Sequence, residues 1–533
     1  LIVVMAIVCA LTLAVALPAS ADENANVAKI GDTEYADLKT AIGAATTGDT
    51  ITLLKDVDLG SSKVNFYNST STNLTFDLNG HKITSAVSKG GTVVASKDGL
   101  VIKNGTIENA STSTAKATSA VYVTSGGSTT LENVTLTSKT SGLYVCQLSN
   151  AVTVEVNVNE GTAFGEKVKY GIYIEAPQGT SSKVPTITLN VNGGTITGTS
   201  TGIHATSPAS GKFGKINVAI TGGTVNGVLV DTKPGAKSPI DLGITGGTIN
   251  GTVNGTGNNK IAISGGTFNG DLTAAKSSTN EITITGGTFN GNLTTAVDST
   301  NNVVITGGTF KGSITKNGND NITVSGGTFS SEVKPEWCAE DFAVKANDDG
   351  TYSVKTIYVA KTGDNRYESL AAAISAASNG ATVELLTETT EDVVIDKNIT
   401  LDLGGFTLTG TNTGKATLTI AKGATATVKN GSIIGTESYY NIENYGTATL
   451  EGLTATAGNN GSSMIDNHGT LTINNGSYTG GLDTVKNEPA AMLTINDGTF
   501  TLTKASTDGF TGVVFNYGTL EINGGEFIQS DKN

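Results

Sequence analysis

One row of aromatic residues in the sequence has the residue types and the spacing that could bind a ligand. Tyr122, Tyr144, Tyr173 and His204 recur at comparable intervals, each inside a short apolar run. Their apolar neighbours alternate with the rings, so in an extended strand the neighbours and the rings point to opposite faces. If the neighbours form a core, the rings point outward. Outward rings at regular spacing can pack on the apolar faces of sugars and follow a chain-like ligand.

Two further residues flank this row, because Tyr170 and Glu175 lie within the same run as Tyr173, YGIYIEA. We therefore predict a surface that binds a neutral glycan or a host or cell-surface protein. Its residues are Tyr122, Tyr144, Tyr170, Tyr173, Glu175 and His204. The alternative is that the rings stack on one another beneath the loops of the chain and bind nothing.

Residues that could catalyse hydrolysis are sparse in this sequence. A glycoside hydrolase needs two carboxylates across a groove, one of them with a raised pKa. The adjacent acidic pairs, Asp348 with Asp349 and Glu391 with Asp392, lie in a predicted hairpin turn and near a predicted strand start. The chain has three histidines, and their positions give no support to a Ser/His/Asp triad. We predict no catalytic residue, no metal and no cofactor.

The elements that must position these residues are repeats. A phrase of the type ITGGTF returns seven times, with its glycine pair starting at Gly193, Gly222, Gly246, Gly265, Gly286, Gly307 and Gly326. A period of about 20 residues indicates a solenoid. Each copy reads as two short strands around a glycine corner, and Asn-Gly dipeptides supply a second corner. The sequence therefore predicts an all-β fold, a parallel β-helix with three strands in each coil.

Stacked coils place equivalent residues directly above one another, so the repeats predict two internal ladders. The phenylalanine ladder consists of Phe268, Phe289, Phe310 and Phe329. The asparagine ladder consists of Asn444, Asn467, Asn487 and Asn516, whose side chains can hydrogen-bond along the helix axis. Outside the ladders, Asp77 and its counterpart Asp402 are predicted to cap turns. His81, which falls opposite Phe406, is predicted to be a packing ring.

Two stretches of the chain begin alike. Residues 31–54 and 363–386 share much of their sequence, and the first places Tyr35, Leu38, Ile42 and Ala45 on one helical face. We predict two tandem modules, 22–355 and 356–533, each capped by a short N-terminal amphipathic helix that covers the exposed edge of its first coil. A hairpin with the only tryptophan closes the first module, and we expect the second to be truncated.

Residues 1–21 read as a secretory signal peptide, because an apolar run ends in small residues before Asp22. This predicts a secreted or cell-surface protein, without membrane insertion once the signal is removed. Cys146 and Cys338 lie too far apart along a solenoid to form a disulfide. The formal net charge of −14 disfavours nucleic acid, anionic lipid and polyanionic polysaccharide as partners.

Taken with the head helix, the phrases LDLNGHKI, NGTI and ENVTL and the glycine-paired repeats, the sequence resembles the right-handed parallel β-helix proteins of the pectin-lyase-like superfamily. The GGTF coils and the WCAEDF hairpin are more similar to the secreted or surface-attached repeat proteins of Gram-positive bacteria than to the enzymes of that superfamily. The resemblance covers nearly all of the chain after Ala21. The resemblance is more specific for the fold than for an activity, because the same solenoid fold carries unrelated sites in different proteins.

The resemblance implies two functional hypotheses. The lyases of this superfamily use an arginine as the base beside a carboxylate, but the only arginine here, Arg366, lies in the second head segment. We therefore favour a non-catalytic protein that acts as an adhesin, a glycan binder or a structural stalk. The alternative is a polysaccharide lyase or a glycoside hydrolase.

Overall fold

The computed structural model describes residues 26–66, 71–95, 99–124, 126–146, 153–176, 180, 184–207, 212–411, 414–435, 440–458, 461–503 and 512–529. The predicted signal peptide, 1–21, lies outside the described residues. The chain divides into two compact units: unit 1 comprises residues up to 339 and 344–354, and unit 2 comprises 340–343 and 355–533. Within the described residues, no helix has the length and apolar character needed to cross a membrane.

In unit 1, each coil contributes up to three short strands that pair in parallel with the same strands of the coils above and below, which gives three ladders. The first ladder contains Thr50–Leu53, Thr75–Asp77, Leu100–Asn109, Gly127–Ser138, Val154–Val158, Thr186–Val191, Lys215–Ile220, Ile240–Ile244, Asn259–Ile263, Glu281–Ile284, Asn302–Ile305 and Asn321–Val324. The second ladder contains Val57–Asp58, Lys82–Ser85, the distal parts of Leu100–Asn109 and Gly127–Ser138, Ala163–Phe164, Thr195–Ile196, Thr224–Val225, Thr248–Ile249, Thr267–Phe268, Thr288–Phe289, Thr309–Phe310 and Thr328–Phe329.

The third ladder of unit 1 is an 11-stranded sheet that carries the predicted ligand surface. It contains Val64–Asn65, Gly91–Ala95, Ser119–Val123, Ser141–Cys146, Tyr170–Glu175, Thr201–Thr206, Val228–Asp231, Val253–Thr256, Leu272–Ala274, Leu293–Thr295 and Ile314–Thr315. After the last coil come a 3₁₀ helix, Pro335–Trp337, and the strands Phe342–Ala346 and Tyr352–Thr356. Tyr352 pairs antiparallel with Phe329 at the end of the second ladder.

Unit 2 repeats the arrangement with three parallel ladders of its own. The first contains Ala381–Leu385, Ile399–Asp402, Thr425–Ile434, Thr447–Thr456, Thr470–Ile473, Met492–Ile495 and Thr519–Ile522. The second contains Thr389–Thr390, Thr407–Thr409, the distal parts of Thr425–Ile434 and Thr447–Thr456, Gly476–Thr479, Thr499–Leu502 and Glu526–Gln529. The third contains Val393–Ile395, Leu418–Ile420, Ile442–Asn444, Ile465–Asn467, Val485–Asn487 and Val514–Asn516.

Both units are therefore built of parallel stacked strands, in agreement with the all-β class and the β-helix arrangement predicted from the repeats. Apolar side chains alternate inward along the ladders, and Phe268, Phe289, Phe310 and Phe329 are at most 2% exposed. Their ring centroids lie 4.6, 4.6 and 5.0 Å apart along the ladder. The predicted phenylalanine ladder is thus confirmed.

The glycine pairs serve the corner between the first and second ladders. A Cβ on Gly286 would lie 2.3 Å from the carbonyl oxygen of Ser264 in the preceding coil, so any side chain would push the coils apart. The next residue, Gly287, has a φ of +97°, which residues other than glycine rarely adopt. One glycine of each pair therefore allows close stacking and the other allows the turn.

The head of each unit is a two-stranded hairpin followed by a helix. In unit 1 the hairpin is Ala28–Ile30 with Thr33–Tyr35 and the helix is Leu38–Ala44; in unit 2 they are Ala360–Thr362 with Asn365–Tyr367 and Leu370–Ala376. The placement of Tyr35 on the helix is therefore wrong, because Asp37 accepts a hydrogen bond from the Thr40 amide at 2.8 Å and starts the helix after the strand. The edge strand of the first ladder, Thr50–Leu53, pairs with Ala28–Ile30 of the hairpin.

The predicted asparagine ladder is confirmed at its inner positions. Asn444, Asn467 and Asn487 are fully buried. Their side-chain amides donate to the next oxygen along the ladder at 2.8, 2.7 and 2.6 Å, the last acceptor being Asn516. Asn516, in the last described coil, is exposed.

The two predicted turn caps are also confirmed, whereas the packing role of His81 is not. Asp77 accepts a backbone hydrogen bond from Asn79 at 2.9 Å, and Asp402 accepts one from Gly404 at 3.0 Å. The imidazole of His81 is half-buried, with its Nδ1 3.4 Å from the carboxylate of Asp56. The packing role of this ring stays a prediction.

Candidate functional site: the aromatic cluster

The predicted row of aromatic residues forms one register of the third ladder in unit 1. Tyr122 pairs with Tyr144, Tyr144 with Tyr173, and Tyr173 with His204 in successive parallel strands. The strands hold this register because their apolar neighbours, such as Val121 and Val123, are fully buried on the other face. The sequence therefore predicted correctly which residues come together.

The rings do not form the exposed platform that the sequence predicted. Tyr144 is 6% exposed and Tyr173 is 1% exposed, so both rings are buried. Tyr122, Tyr170 and His204 are half-buried. The expectation of a continuous outward sugar platform is corrected here, because alternation along a strand decides which face a ring takes but not whether other segments cover that face.

The rings pack on one another along and across the ladder. Ring centroids are 5.2 Å apart for Tyr122 and Tyr144, 5.9 Å for Tyr144 and Tyr173, and 4.8 Å for Tyr173 and His204. Tyr170 joins from the start of its strand, 5.1 Å from Tyr173 and 5.4 Å from His204. We call these five residues the aromatic cluster. Such ring pairs add about 0.5–1.5 kcal/mol each beyond the area that they bury.

Charged side chains contact the rings of the cluster. Lys116 lies with its Nζ 5.0 Å from the centroid of Tyr173, and Lys169 lies at 5.0 Å over Tyr170. The hydroxyl of Tyr144 donates a hydrogen bond of 2.8 Å to Glu175. The hydrogen bond with Tyr173 raises the pKa of Lys116, so this lysine stays charged over the ring. Neither Lys116 nor Lys169 was singled out by the sequence analysis, since lysines in loops carry no periodic signal.

Burial holds two phenols of the cluster and a neighbouring thiol in their uncharged forms. Burial raises the pKa of Tyr144 and of Tyr173 above the usual range for a phenol. Burial likewise raises the pKa of the neighbouring Cys146 thiol. A protonated thiol and protonated phenols are poor nucleophiles and poor bases.

His204 is the most perturbed imidazole in the described part of the chain. Both of its ring nitrogens are buried without a hydrogen-bond partner, and its Nε2 lies 4.0 Å from Asp231. Burial lowers its pKa to about 4, against the opposing attraction of Asp231. The two effects favour opposite charge states, and burial prevails because Asp231 is already paired with Lys233 and accepts a hydrogen bond of 2.8 Å from Thr256. His204 is therefore a neutral ring that packs, and it is too weakly basic to serve as a general base near pH 7.

The other residues weighed for catalysis have structural partners. Arg366 forms an ion pair with Asp341. Asp349 accepts the backbone amide of Thr351 at 3.0 Å within its turn. Glu391 accepts the amide of Leu370 at 2.8 Å and so caps the second helix, and Asp392 accepts the amide of Thr411 at 2.9 Å. The turn predicted at Asp349 agrees with this geometry, whereas Glu391 caps a helix and Asp392 contacts the following coil.

One depression that the sequence did not predict lies on the corner between the first and second ladders of unit 1. It has a volume of about 430 Å³ and is lined by Glu132, Asn133, Asn159, Glu160, Gly161 and Asn192. Glu132 and Glu160 come from adjacent coils and both are exposed. Coil length varies in this region, so no fixed spacing in the sequence marks the pair.

Comparisons with known proteins add no family to this description. No family model, no curated protein and no solved structure matches the chain. The chemistry of the aromatic cluster is therefore the main guide to its role.

Proposed function

We propose that the chain is a non-catalytic, extracellular β-helix repeat protein that works as a structural stalk or an adhesin. The observation that carries this proposal is the state of the aromatic cluster. Burial raises the pKa of the phenols of Tyr144 and Tyr173 and of the adjacent Cys146 thiol, and it lowers the pKa of the His204 imidazole. The rings pack on one another along the ladder instead. Acid–base or nucleophilic chemistry at this cluster would require at least one of these groups to be poised near neutral pH.

The finer description of the fold belongs to this proposal. It holds that the coils wind in the right-handed sense of pectin-lyase-like surface proteins and that the chain has two tandem modules. The helices Leu38–Ala44 and Leu370–Ala376 would then close the apolar end of each module, since each buries a leucine and an isoleucine. Capped ends prevent strand edges from pairing with other chains, which a secreted solenoid requires.

An adhesin needs a surface that contacts a partner, and the rim of the aromatic cluster is our candidate. Tyr122, Tyr170 and Glu175 are each half-buried. An amphipathic ring beside a carboxylate suits a neutral sugar or a protein surface. The formal net charge of −14 opposes nucleic acid and polyanionic glycans as partners.

The binding proposal is tested on an array of neutral glycans with the purified chain. The double variant Tyr122→Ala and Tyr170→Ala should lose binding while its melting temperature falls less than that of Tyr173→Ala, because the two rim rings are half-buried and Tyr173 is buried. Tyr173→Ala is the matched control for the interior, and it should destabilise unit 1 by about 3–5 kcal/mol because a buried aromatic ring is removed. If the rim variant binds glycans as well as the parent does, the rim is not the binding surface.

A glycoside hydrolase is the second candidate function, and the depression beside Glu132 and Glu160 is the observation that favours it. Two carboxylates from adjacent coils line a space that could hold a sugar, and asparagine residues line the same space. The exposure of both glutamates argues against it, because a general acid at neutral pH needs a carboxyl in an apolar setting. We therefore place it second.

A further inference from the structure

We propose that Glu443, Asp466 and His468 in unit 2 form a binding site for one divalent transition-metal cation, of which Zn²⁺ is the representative. One ligand atom from each of these residues lies within 4.8 Å of the other two. A nitrogen and two carboxylate oxygens form a donor set that such cations prefer. This site is separate from the aromatic cluster and does not depend on the proposed function.

The third ladder of unit 2 fixes the backbone beneath the site. Glu443 and Asp466 are directly paired in neighbouring strands. Each precedes a residue of the buried asparagine ladder, Asn444 or Asn467, whose mutual hydrogen bond of 2.8 Å sets the register. His468 follows at the corner, where its amide donates to the carbonyl of Asn444 at 2.7 Å. The two carboxylates and the imidazole are therefore held on one edge by the fold.

Asp466 is the observation that points to a ligand. Its side chain is 3% exposed, and its Oδ2 is 3.0 Å from Nε2 of His468. Its Oδ1 is buried and has no hydrogen-bond partner. A buried carboxylate oxygen without a partner is costly, and a cation bound by Oδ1 of Asp466 together with His468 would remove this cost.

Tyr445 positions the other two ligands. Its ring stacks on the imidazole of His468, with centroids 4.6 Å apart and planes inclined by 13°. Its hydroxyl donates a hydrogen bond of 2.7 Å to Oε1 of Glu443. Outer groups that orient ligands in this way are a regular part of metal sites.

The charge around the site also favours a cation. In the next strand of the ladder, Lys486 pairs directly with Asp466, and its Nζ forms an ion pair with Glu488. The carboxylates thus outnumber the lysine, which leaves an excess of negative charge for a divalent ion to balance.

Binding would require two small changes. Ligand atoms in a tetrahedral zinc site lie about 3.4 Å apart, given bonds of about 2.0–2.2 Å. Glu443, which is half-buried, would therefore move toward the other two ligands. Any proton on Nε2 would shift to Nδ1 or leave, so that the nitrogen lone pair faces the metal.

The test is equilibrium dialysis of the untagged full chain against Zn²⁺ after chelator treatment, with bound metal measured by atomic emission. We expect one equivalent of zinc per chain, and an affinity at least tenfold lower in His468→Gln and in Glu443→Gln. Both side chains are accessible enough that these variants should fold, which circular dichroism checks. His81→Gln is the matched control because His81 also lies beside an aspartate, Asp56.

Two results would overturn the proposal. One is the absence of stoichiometric zinc in the parent, which would mean that Asp466 and His468 form only a hydrogen-bonded pair. The other is zinc binding that His468→Gln and Glu443→Gln leave unchanged, which would place the metal elsewhere on the chain.

Discussion

Among single residues, His204 has the clearest measurable consequence. Its pKa is about 4 in the folded chain, against an ordinary value of 6.5, so the unfolded chain binds the proton more readily. Stability from the neutral ring is therefore complete above pH 6.5 and is lost as the pH falls through 6.5 toward 4. The loss from this residue should be about 3 kcal/mol.

The measurement is urea unfolding of the parent and of His204→Phe at pH 7 and pH 4. The variant keeps a ring and has no proton to gain, so the stability lost by acidification should be smaller by about 3 kcal/mol than in the parent. His81→Phe is the control, because the side chain of His81 is 32% exposed and unit 2 carries Phe406 at the corresponding position. Equal acid sensitivity in the parent and in His204→Phe would show that the ring is not buried as described.

The sequence was enough to predict which residues come together in the candidate site, but not how far their side chains are exposed to solvent. The positions of Tyr122, Tyr144 and Tyr173 indicated the register, because strand alternation is a local property. Burial of Tyr173 depends on Lys116 and on other residues outside the strand, and these have no fixed spacing. The proposed metal site could not be predicted for a related reason, since it joins two coils and uses a corner residue, His468.

Among the structural elements, the stacked ladders carry the stability of each unit. Phe289→Asp would place an unpaired charge between the rings of Phe268 and Phe310, each 4.6 Å away. We expect a loss of at least about 3 kcal/mol, measured by urea unfolding. The control Val297→Asp lies at a residue that is 45% exposed and should change stability little. If both variants unfold with the parent, the inward position of the phenylalanine ladder is wrong.

The ladders also show how far repeats predict a fold. The glycine pairs and the phenylalanines recur at near-constant steps, so their stacking could be predicted. A second polar ladder in unit 1, formed by Asn259, Asn280, Asn301 and Asp320, was not predicted, although each amide donates to the next residue at 2.7, 3.0 and 3.0 Å. Its last member is an aspartate and its neighbours differ from coil to coil, so no repeated phrase marks it.

The molecule as a whole uses many of its polar side chains to hold coils together. Asparagine ladders, turn-capping aspartates and a buried aromatic cluster all stabilise stacking. Such a molecule is suited to a structural role or to holding a partner, and this supports the proposal of an adhesin or stalk. The proposal holds that the chain does so without catalysing a reaction.

Incubation of the purified chain with pectin, polygalacturonate and neutral glycans tests this proposal. Products are followed by the ultraviolet absorbance of unsaturated uronates and by the release of new reducing ends. We predict neither product, in the parent or in the double variant Glu132→Gln and Glu160→Gln. New reducing ends from the parent that disappear in this double variant would contradict the proposal and assign a glycoside hydrolase site to the depression between these glutamates.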